Sequence, residues 1–402
     1  MNIAPRSVLL KGYYGFGNLG DDILCLVAFR LISSCLPGAV VDVYSGNTSS
    51  NADCRAPADY HRYISRLLGS EVRIVDWTHR HYYDLVFNGG GGLYKDSDQG
   101  SPVSFALNLL SRMLTPDQAY CLESWIRRRS RKELNLRFHR RLGVGIGLGP
   151  YTQSSSKYLR AVSELGSYDA IYPRDIRSES FLRRIRFRGE QRLGTDLAFL
   201  TDLWAGPTEH RFPGKETSIG VVLMDLPISQ GDLLDRLLEL CVLLEHGGYD
   251  VAVYSFEEHY DQEVSRRWGN RLRVWSPITD DLRRFTDQFR EHSLLLTTRA
   301  HGAIVGGVLG ISSICVAWNR KLREIAEMMP KGCSLMEPTL SVAEMYAFVE
   351  QELRRAASRR PDLIAEVGLQ MSSAEEMKRD VELSLRSFAQ DDELPKSSSS
   401  SR

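Results

Sequence analysis

The sequence predicts an α/β fold of two doubly wound domains facing one another across a cleft. Short apolar runs closed by turn residues alternate with longer amphipathic stretches, the pattern of a parallel sheet with helices on both faces. The alternation runs in two series, separated by a polar, turn-rich segment from Gly206 to Gly214. A chain of 402 residues has room for two α/β domains of ordinary size.

In the first series the expected strands are Val8–Lys11, Val40–Tyr44, Val72–Val75, Asp84–Asn88 and Gly143–Gly147, with a short run at Ala170–Tyr172. The second series is Ser218–Met224, Val251–Ser255, Arg271–Trp275, Ser293–Thr297 and Ser313–Trp318. After about Pro338 the pattern is helical, and the closing PKSSSSSR is low-complexity and expected to be disordered. The expected division is residues 1–205 and 206–340 for the two domains, 341–389 for C-terminal helices and 390–402 for the tail. In such sheets ligands bind beyond the carboxyl ends of the strands.

Lys and Arg together equal Asp and Glu at 51 each, which argues against nucleic acid as a partner. The seven cysteines (25, 35, 54, 121, 241, 315 and 333) are scattered and suggest reduced thiols, with no zinc-like cluster. The N-terminus runs from a short apolar segment straight into a glycine turn, unlike a signal peptide, and no apolar run is long enough to span a bilayer. The expected location is the cytoplasm.

Gly15-Phe16-Gly17-Asn18-Leu19-Gly20 follows the first strand and opens a helix, so it matches a dinucleotide fingerprint. Asp21 and Asp22 come next, however, and two carboxylates in a first helical turn already satisfy the dipole and repel a pyrophosphate. Asp42 falls inside the second strand, not at its end as the fingerprint needs. Three readings remain: cofactor binding, a tight turn with two dipole partners, or carboxylates facing the cleft to handle sugar hydroxyls. Gly89, Gly90, Gly91 and Gly92 close another strand, and four glycines in a row suggest close backbone approach at the cleft.

Arg299 and His301 sit at a strand-to-helix junction, and the next strand ends in Trp318-Asn319-Arg320-Lys321. These side chains make a plausible site for a small multiply charged anion. Arg174, in Tyr172-Pro173-Arg174-Asp175, adds a basic group from the first domain, or else forms a plain surface pair with Asp175.

Together these residues resemble the polysaccharide pyruvyltransferase family. GYYGFGNLGDD at Gly12–Asp22 looks like its opening motif, which usually ends in Asp-Glu. NGGGG at Asn88–Gly92, YPRD at Tyr172–Asp175 and GTDLAF at Gly194–Phe199 follow in family order. TTRAHGAI at Thr297–Ile304 resembles the Arg-x-His element, whose middle residue is commonly Leu, and WNRK at Trp318–Lys321 stands in place of a Tyr-Asp-Pro-Lys-like element. The match spans about residues 8 to 330.

The resemblance implies a GT-B-like architecture of two Rossmann-like domains, the first on the acceptor side and the second on the donor side. It assigns Arg174, Arg299, His301 and Lys321 to donor binding and catalysis. The implied reaction moves pyruvate from phosphoenolpyruvate to a sugar of a cell-surface polysaccharide, or its lipid-linked precursor, leaving a pyruvate ketal and phosphate. Neither a metal nor a cofactor is required. His301 is the expected proton donor to the methylene carbon, with Arg299 beside it, and Asp21 or Asp22 the acceptor of the hydroxyl proton. Departures at Asp22, Ala300 and Asn319-Arg320 leave the acceptor open more than the reaction.

The basic stretch Trp125–Arg141 reads either as a solvated face or as a peripheral contact with the inner face of the plasma membrane, where a lipid-linked acceptor would lie. Two rival functions stay open: a nucleotide-sugar glycosyltransferase of the same architecture, and a non-catalytic member that binds glycans.

Overall fold

The computed structural model describes residues 6–46, 57, 59–76, 79, 81–94, 118, 136–149, 151, 156–206 and 217–390. The first sheet comprises β1 (Ser7–Lys11), β2 (Val40–Tyr44), β3 (Arg73–Val75), β4 (Tyr82–Tyr94), β5 (Arg137–Leu148), β6 (Ala170–Pro173) and β7 (Glu190–Gln191). The second comprises β8 (Ser218–Leu223), β9 (Asp250–Ser255), β10 (Leu272–Val274), β11 (Leu294–Thr297), β12 (Ser312–Val316) and β13 (Cys333–Met336). Around them pack α1 (Leu19–Cys35), α2 (Ile64–Leu68), α3 (Ser156–Leu165), α4 (Ile176–Arg184), α5 (Leu233–His246), α6 (Gln262–Trp268), α7 (Leu282–Asp287), α8 (Ala300–Val308), α9 (Arg320–Met328) and α10 (Val342–Gln390).

Both sheets are parallel, with orders β3-β2-β1-β4-β5-β6-β7 and β10-β9-β8-β11-β12-β13. The central strands are apolar throughout because both of their faces are covered: Val8, Leu9, Leu10, Ile219, Val221 and Val222 are all fully buried. Register is set by such pairs as Leu9 opposite Val86 and Val221 opposite Leu296. Each sheet changes direction once, between β1 and β4 and between β8 and β11. The carboxyl ends there are where a doubly wound sheet takes its ligand.

Three expectations change. β4 does not stop at Asn88 but continues to Tyr94 through the glycine run. The reason is helix packing: a Cβ on Gly89 would come within 2.7 Å of the Ala28 Cβ, and one on Gly90 within 2.8 Å of Leu24 Cδ1, so bare backbone lets α1 close on the strand. β5 begins at Arg137, so residues 137–141 of the basic stretch form a strand beside β4, with Phe138 opposite Tyr83. Arg141 is buried and donates to Asn88 Oδ1 (3.2 Å), Ser167 Oγ (2.9 Å) and Glu164 Oε1 (2.8 Å), a structural role and not a lipid contact. Trp125 and the basic residues up to Lys132, the segment from Pro207 to Gly214 and the serine tail lie outside the described residues. Third, the C-terminal region is one 49-residue helix, α10, rather than several.

Helix α10 buries Met345, Val349, Ala356, Leu363, Val367, Ala374, Met377, Val381, Leu385 and Phe388, spaced mostly by three, four or seven residues. Met345 and Val349 pack into the second sheet's core, whereas Leu363 through Phe388 join the apolar cluster that runs through both domains. Thr195 Oγ1 donates to Gln370 Oε1 (3.0 Å), Lys378 pairs with Asp202 (2.7 Å) and Arg6 donates to the Ala389 carbonyl (2.8 Å). One helix therefore straps the second domain to the first.

Phe388→Ala should lower unfolding stability by about 3–5 kcal/mol, as removal of a buried phenyl ring commonly does. Its ring is buried beneath the Arg6 and Arg140 guanidinium groups. Urea denaturation measures the loss, and an unchanged midpoint would show that the end of α10 does not pack as described.

Candidate active site

The loop after β1 meets the loop after β9 directly. Leu19 N–H donates to the Phe256 carbonyl (3.0 Å), and Asn18 and Glu257 form an isolated antiparallel bridge. This joins the carboxyl ends of the two sheets into a buried seam. Gly15 (φ +88°) and Gly17 (φ +72°) provide the left-handed turns that bring the chain there. Asn18 then caps α1, its Oδ1 accepting from Gly20 N–H (3.1 Å) and Asp21 N–H (3.4 Å), and so occupies N–H groups that a pyrophosphate would use.

The two carboxylates that follow have separate surroundings. Asp22 is buried, its Oδ1 accepting from the Tyr63 hydroxyl (2.5 Å) and its Oδ2 from Trp275 Nε1 (2.9 Å). The same Tyr63 oxygen accepts from Gly17 N–H (2.9 Å). Both Asp22 oxygens are thus committed, Oδ1 within the first domain and Oδ2 across to the second, and neither is turned toward a sugar. Burial outweighs these hydrogen bonds and pushes its pKa up to about 7. Asp21 lies partly exposed, with its Oδ1 3.5 Å from where a Gly91 Cβ would stand. Burial raises it to about 7 as well; Lys321 and Arg299 oppose the rise while Glu257 and Asp196 add to it.

Arg299 stands at the position just before α8, after β11, and is nine-tenths buried. Its Nη2 donates to both oxygens of Asp261 (2.7 and 2.8 Å), and its Nη1 donates to Glu257 Oε2 (3.0 Å). Burial disfavours the charge, but Asp261 and Glu257 more than offset it and raise the guanidinium pKa above its ordinary value. Arg299, expected to bind the donor, is therefore already paired with two carboxylates. Only Nε lacks a hydrogen-bond partner among the described residues.

His301 lies one residue into α8, its ring against Gly20, where an added Cβ would meet Nδ1 at 2.0 Å. Its Nε2 is buried without a hydrogen-bond partner among the described residues, and Asp196 Oδ1 is 3.9 Å away. Burial pushes the imidazole pKa down to about 4; Asp196 pulls it up, while Arg174, Lys321 and Arg299 add to the fall. Burial thus favours the neutral form of this imidazole.

Arg174, after β6, is also buried, so the exposed-pair reading fails. Its Nη1 donates to Asp196 Oδ2 (3.2 Å), and its Nε lies 3.6 Å from Asp175 Oδ2. Asp175 itself caps α4 by accepting from Ser178 N–H (2.7 Å). Lys321 is in the first turn of α9, which Asn319 caps, and its charge acts on both Asp21 and His301. Arg320 is instead paired with Glu324 on its own helix (2.6 Å). Gly91 borders the site, whereas Gly89 and Gly90 serve helix packing and Gly92 continues β4.

Three site residues escaped the sequence reading: Asp196, Glu257 and Asp261. Asp196 stands in the quoted GTDLAF motif but had no role. Glu257 and Asp261 stand in FEEHYDQE directly after a strand end, the position that should have marked them. With them included, Asp21, Asp22, Asp196, Glu257 and Asp261 stand against Arg174, Arg299 and Lys321, so the seam is not simply cationic. Among the described residues no three His, Cys, Asp or Glu side chains are grouped as a metal site would need.

A family model described as polysaccharide pyruvyl transferase matches residues 18–320, well over half the chain. None of the curated proteins matches it. Among solved structures, the chain is similar to S. aureus MnaA in a co-structure with UDP, with a TM-score of 0.57 at 10% identity, covering 94% of this chain and 97% of that one. It is similar to the Methanocaldococcus jannaschii UDP-GlcNAc 2-epimerase in complex with UDP-GlcNAc and UDP, with a TM-score of 0.51 at 9% identity over 86% and 92% of the chains. Anabaena Alr3699/HepE in complex with UDP and glucose gives 0.50 at 11% identity over 95% and 100%. At such identities the likeness speaks for the fold alone, which is the GT-B-like pair of α/β domains expected from the sequence.

Gly20→Ala tests the close packing of the seam. Alanine favours a helix over glycine by about 1 kcal/mol, so circular dichroism should show α1 intact. The added methyl must move the His301 ring, which should shift its ring-proton resonances. Unaltered resonances would contradict the contact.

Proposed function

The chain belongs to the polysaccharide pyruvyl transferase family, and we propose that it transfers pyruvate from phosphoenolpyruvate to two hydroxyls of a saccharide acceptor, free or lipid-linked, releasing phosphate. What supports this reading is the convergence of Arg174, Arg299, Lys321, His301 and Asp21 on one buried seam formed by both domains.

Phosphoenolpyruvate carries a carboxylate and a phosphate on one enol carbon. In this reading Arg174 and Lys321 hold those groups, the first through its planar fork and the second as a point charge. Arg299 contributes Nε while Glu257 and Asp261 fix the rest of its guanidinium. His301 is neutral in the unliganded seam, but a multiply charged anion beside it favours the imidazolium and raises its pKa. The imidazolium then protonates the methylene, and the enol carbon becomes electrophilic. One sugar hydroxyl adds to that carbon and gives its proton to Asp21, whose pKa near 7 suits a general base. A second hydroxyl displaces phosphate and closes the ketal. Of the two hydroxyl protons, one replaces that given to the methylene and the other leaves with phosphate.

Incubation with phosphoenolpyruvate and an acceptor saccharide should release phosphate in step with ketal formation, seen by mass spectrometry as pyruvate gained. His301→Ala should cut turnover by about 10²–10⁴-fold. Consumption of a UDP-sugar with no need for phosphoenolpyruvate would overturn the reading.

The pH dependence follows from Asp21. As a base it works deprotonated, so with phosphoenolpyruvate saturating and His301 thereby protonated, kcat should rise with pH as this carboxyl, lifted by burial to about 7 in the free protein, loses its proton. Asp21→Asn should abolish that limb. A profile with the same limb in the variant would assign the base to another group.

A further inference from the structure

Arg299 has two carboxylate partners, and their surroundings differ. Asp261 is anchored within the second domain: its Oδ2 accepts from Ser255 Oγ (2.7 Å) at the end of β9, and its Oδ1 accepts from Asp225 N–H (3.2 Å) beyond β8. It holds the guanidinium to its own sheet. Glu257 reaches the other way. Its single oxygen Oε2 accepts from Arg299 Nη1 (3.0 Å) and from Asn18 Nδ2 (2.9 Å), the residue that caps α1 in the first domain. One carboxylate oxygen can accept two such donors. Glu257 and Asn18 are both buried, so water competes little for these bonds.

From this geometry we propose that Glu257 is a positioning residue: it ties the placement of Arg299 in the second domain to the N-terminal turn of α1 in the first. The proposal rests on the pyruvyl-transfer reading for its effect on turnover, not for the link itself. Asn18 fixes the start of α1, and Asp21 follows three residues on. Through Asn18 and Glu257, the guanidinium on the donor side and the carboxylate on the acceptor side share one rigid connection. Glu257 acts by accepting hydrogen bonds, so a neutral acceptor of the same length should largely replace it. A group that moved protons could not be replaced in this way.

Two substitutions break the link from opposite ends. Asn18→Ser keeps an oxygen able to cap α1, since serine caps about as well as asparagine, but is too short to reach Glu257. Glu257→Ala removes the acceptor. Each alone should lower kcat by about 10- to 100-fold, as a misplacement of about 1 Å does, and the double variant should be no worse than Glu257→Ala, because both remove one connection. Glu257→Gln should recover most of the loss. Losses that multiply in the double variant, or a Gln variant as poor as Ala, would overturn the proposal.

A readout independent of turnover is the Nε–H resonance of Arg299, assigned by its absence in Arg299→Lys. It should be sharp in the unmodified protein and in Glu257→Gln, and exchange-broadened in Asn18→Ser and Glu257→Ala. If the unmodified protein releases no phosphate from phosphoenolpyruvate, the reading of the reaction fails while this resonance still decides the link. Equal line shapes in all four proteins would refute it.

Discussion

Asp22 lies with both carboxylate oxygens buried, one bonded by Tyr63 of the first domain and the other by Trp275 of the second. A carboxyl group withdrawn from water is costly unless its oxygens find donors, so the domains can part only by stripping it of one. The rest of the seam depends on this constraint. It holds the first turn of α1 against the second sheet, and that places Asn18 beside Glu257 and Gly20 beside His301. The core continues across the junction, since Ile23, Tyr254, Trp275 and Phe289 belong to one apolar cluster.

Burial at the seam also decides its electrostatics. Asp21 and Glu257 are held above the usual carboxylate range and His301 below the usual imidazole range, each with desolvation as the leading cause. All three shifts favour the neutral form. A site that suppresses its own charges in this way responds strongly to a charged ligand, because an arriving anion favours the imidazolium at His301. Arg299 keeps its charge because two carboxylates are pledged to it, and so it contributes structure before it contributes binding.

The doubly wound fold was legible because both faces of each sheet are covered, so central strands such as Leu294–Thr297 read as apolar runs between turns. What was missed lacked that signature. β7 has only two residues, and β13 follows a polar turn with Cys-Ser-Leu-Met, which contains no β-branched residue. The glycine run was taken for a strand end because glycine weakens strands; its purpose, the approach of Ala28 and Leu24 on α1, depends on tertiary contact. Arg174, Arg299, His301, Lys321 and Asp21 were named from their places at strand ends, and the fold brings them together. Their charge states were not legible, since these depend on Asp196, Glu257 and Asp261, which join them only in three dimensions. Asp22 looks like Asp21 in sequence, and the separation of the two depends on Tyr63 and Trp275, 41 and 253 residues away.

The central claim is that the seam between the domains receives phosphoenolpyruvate next to His301. Its most direct test is the titration of the His301 ring resonances with and without phosphoenolpyruvate, assigned against His301→Ala. The account predicts an imidazole that titrates near 4 alone and at distinctly higher pH with phosphoenolpyruvate bound, with uridine diphosphate as the control anion. An imidazole whose titration does not respond to saturating phosphoenolpyruvate would contradict it.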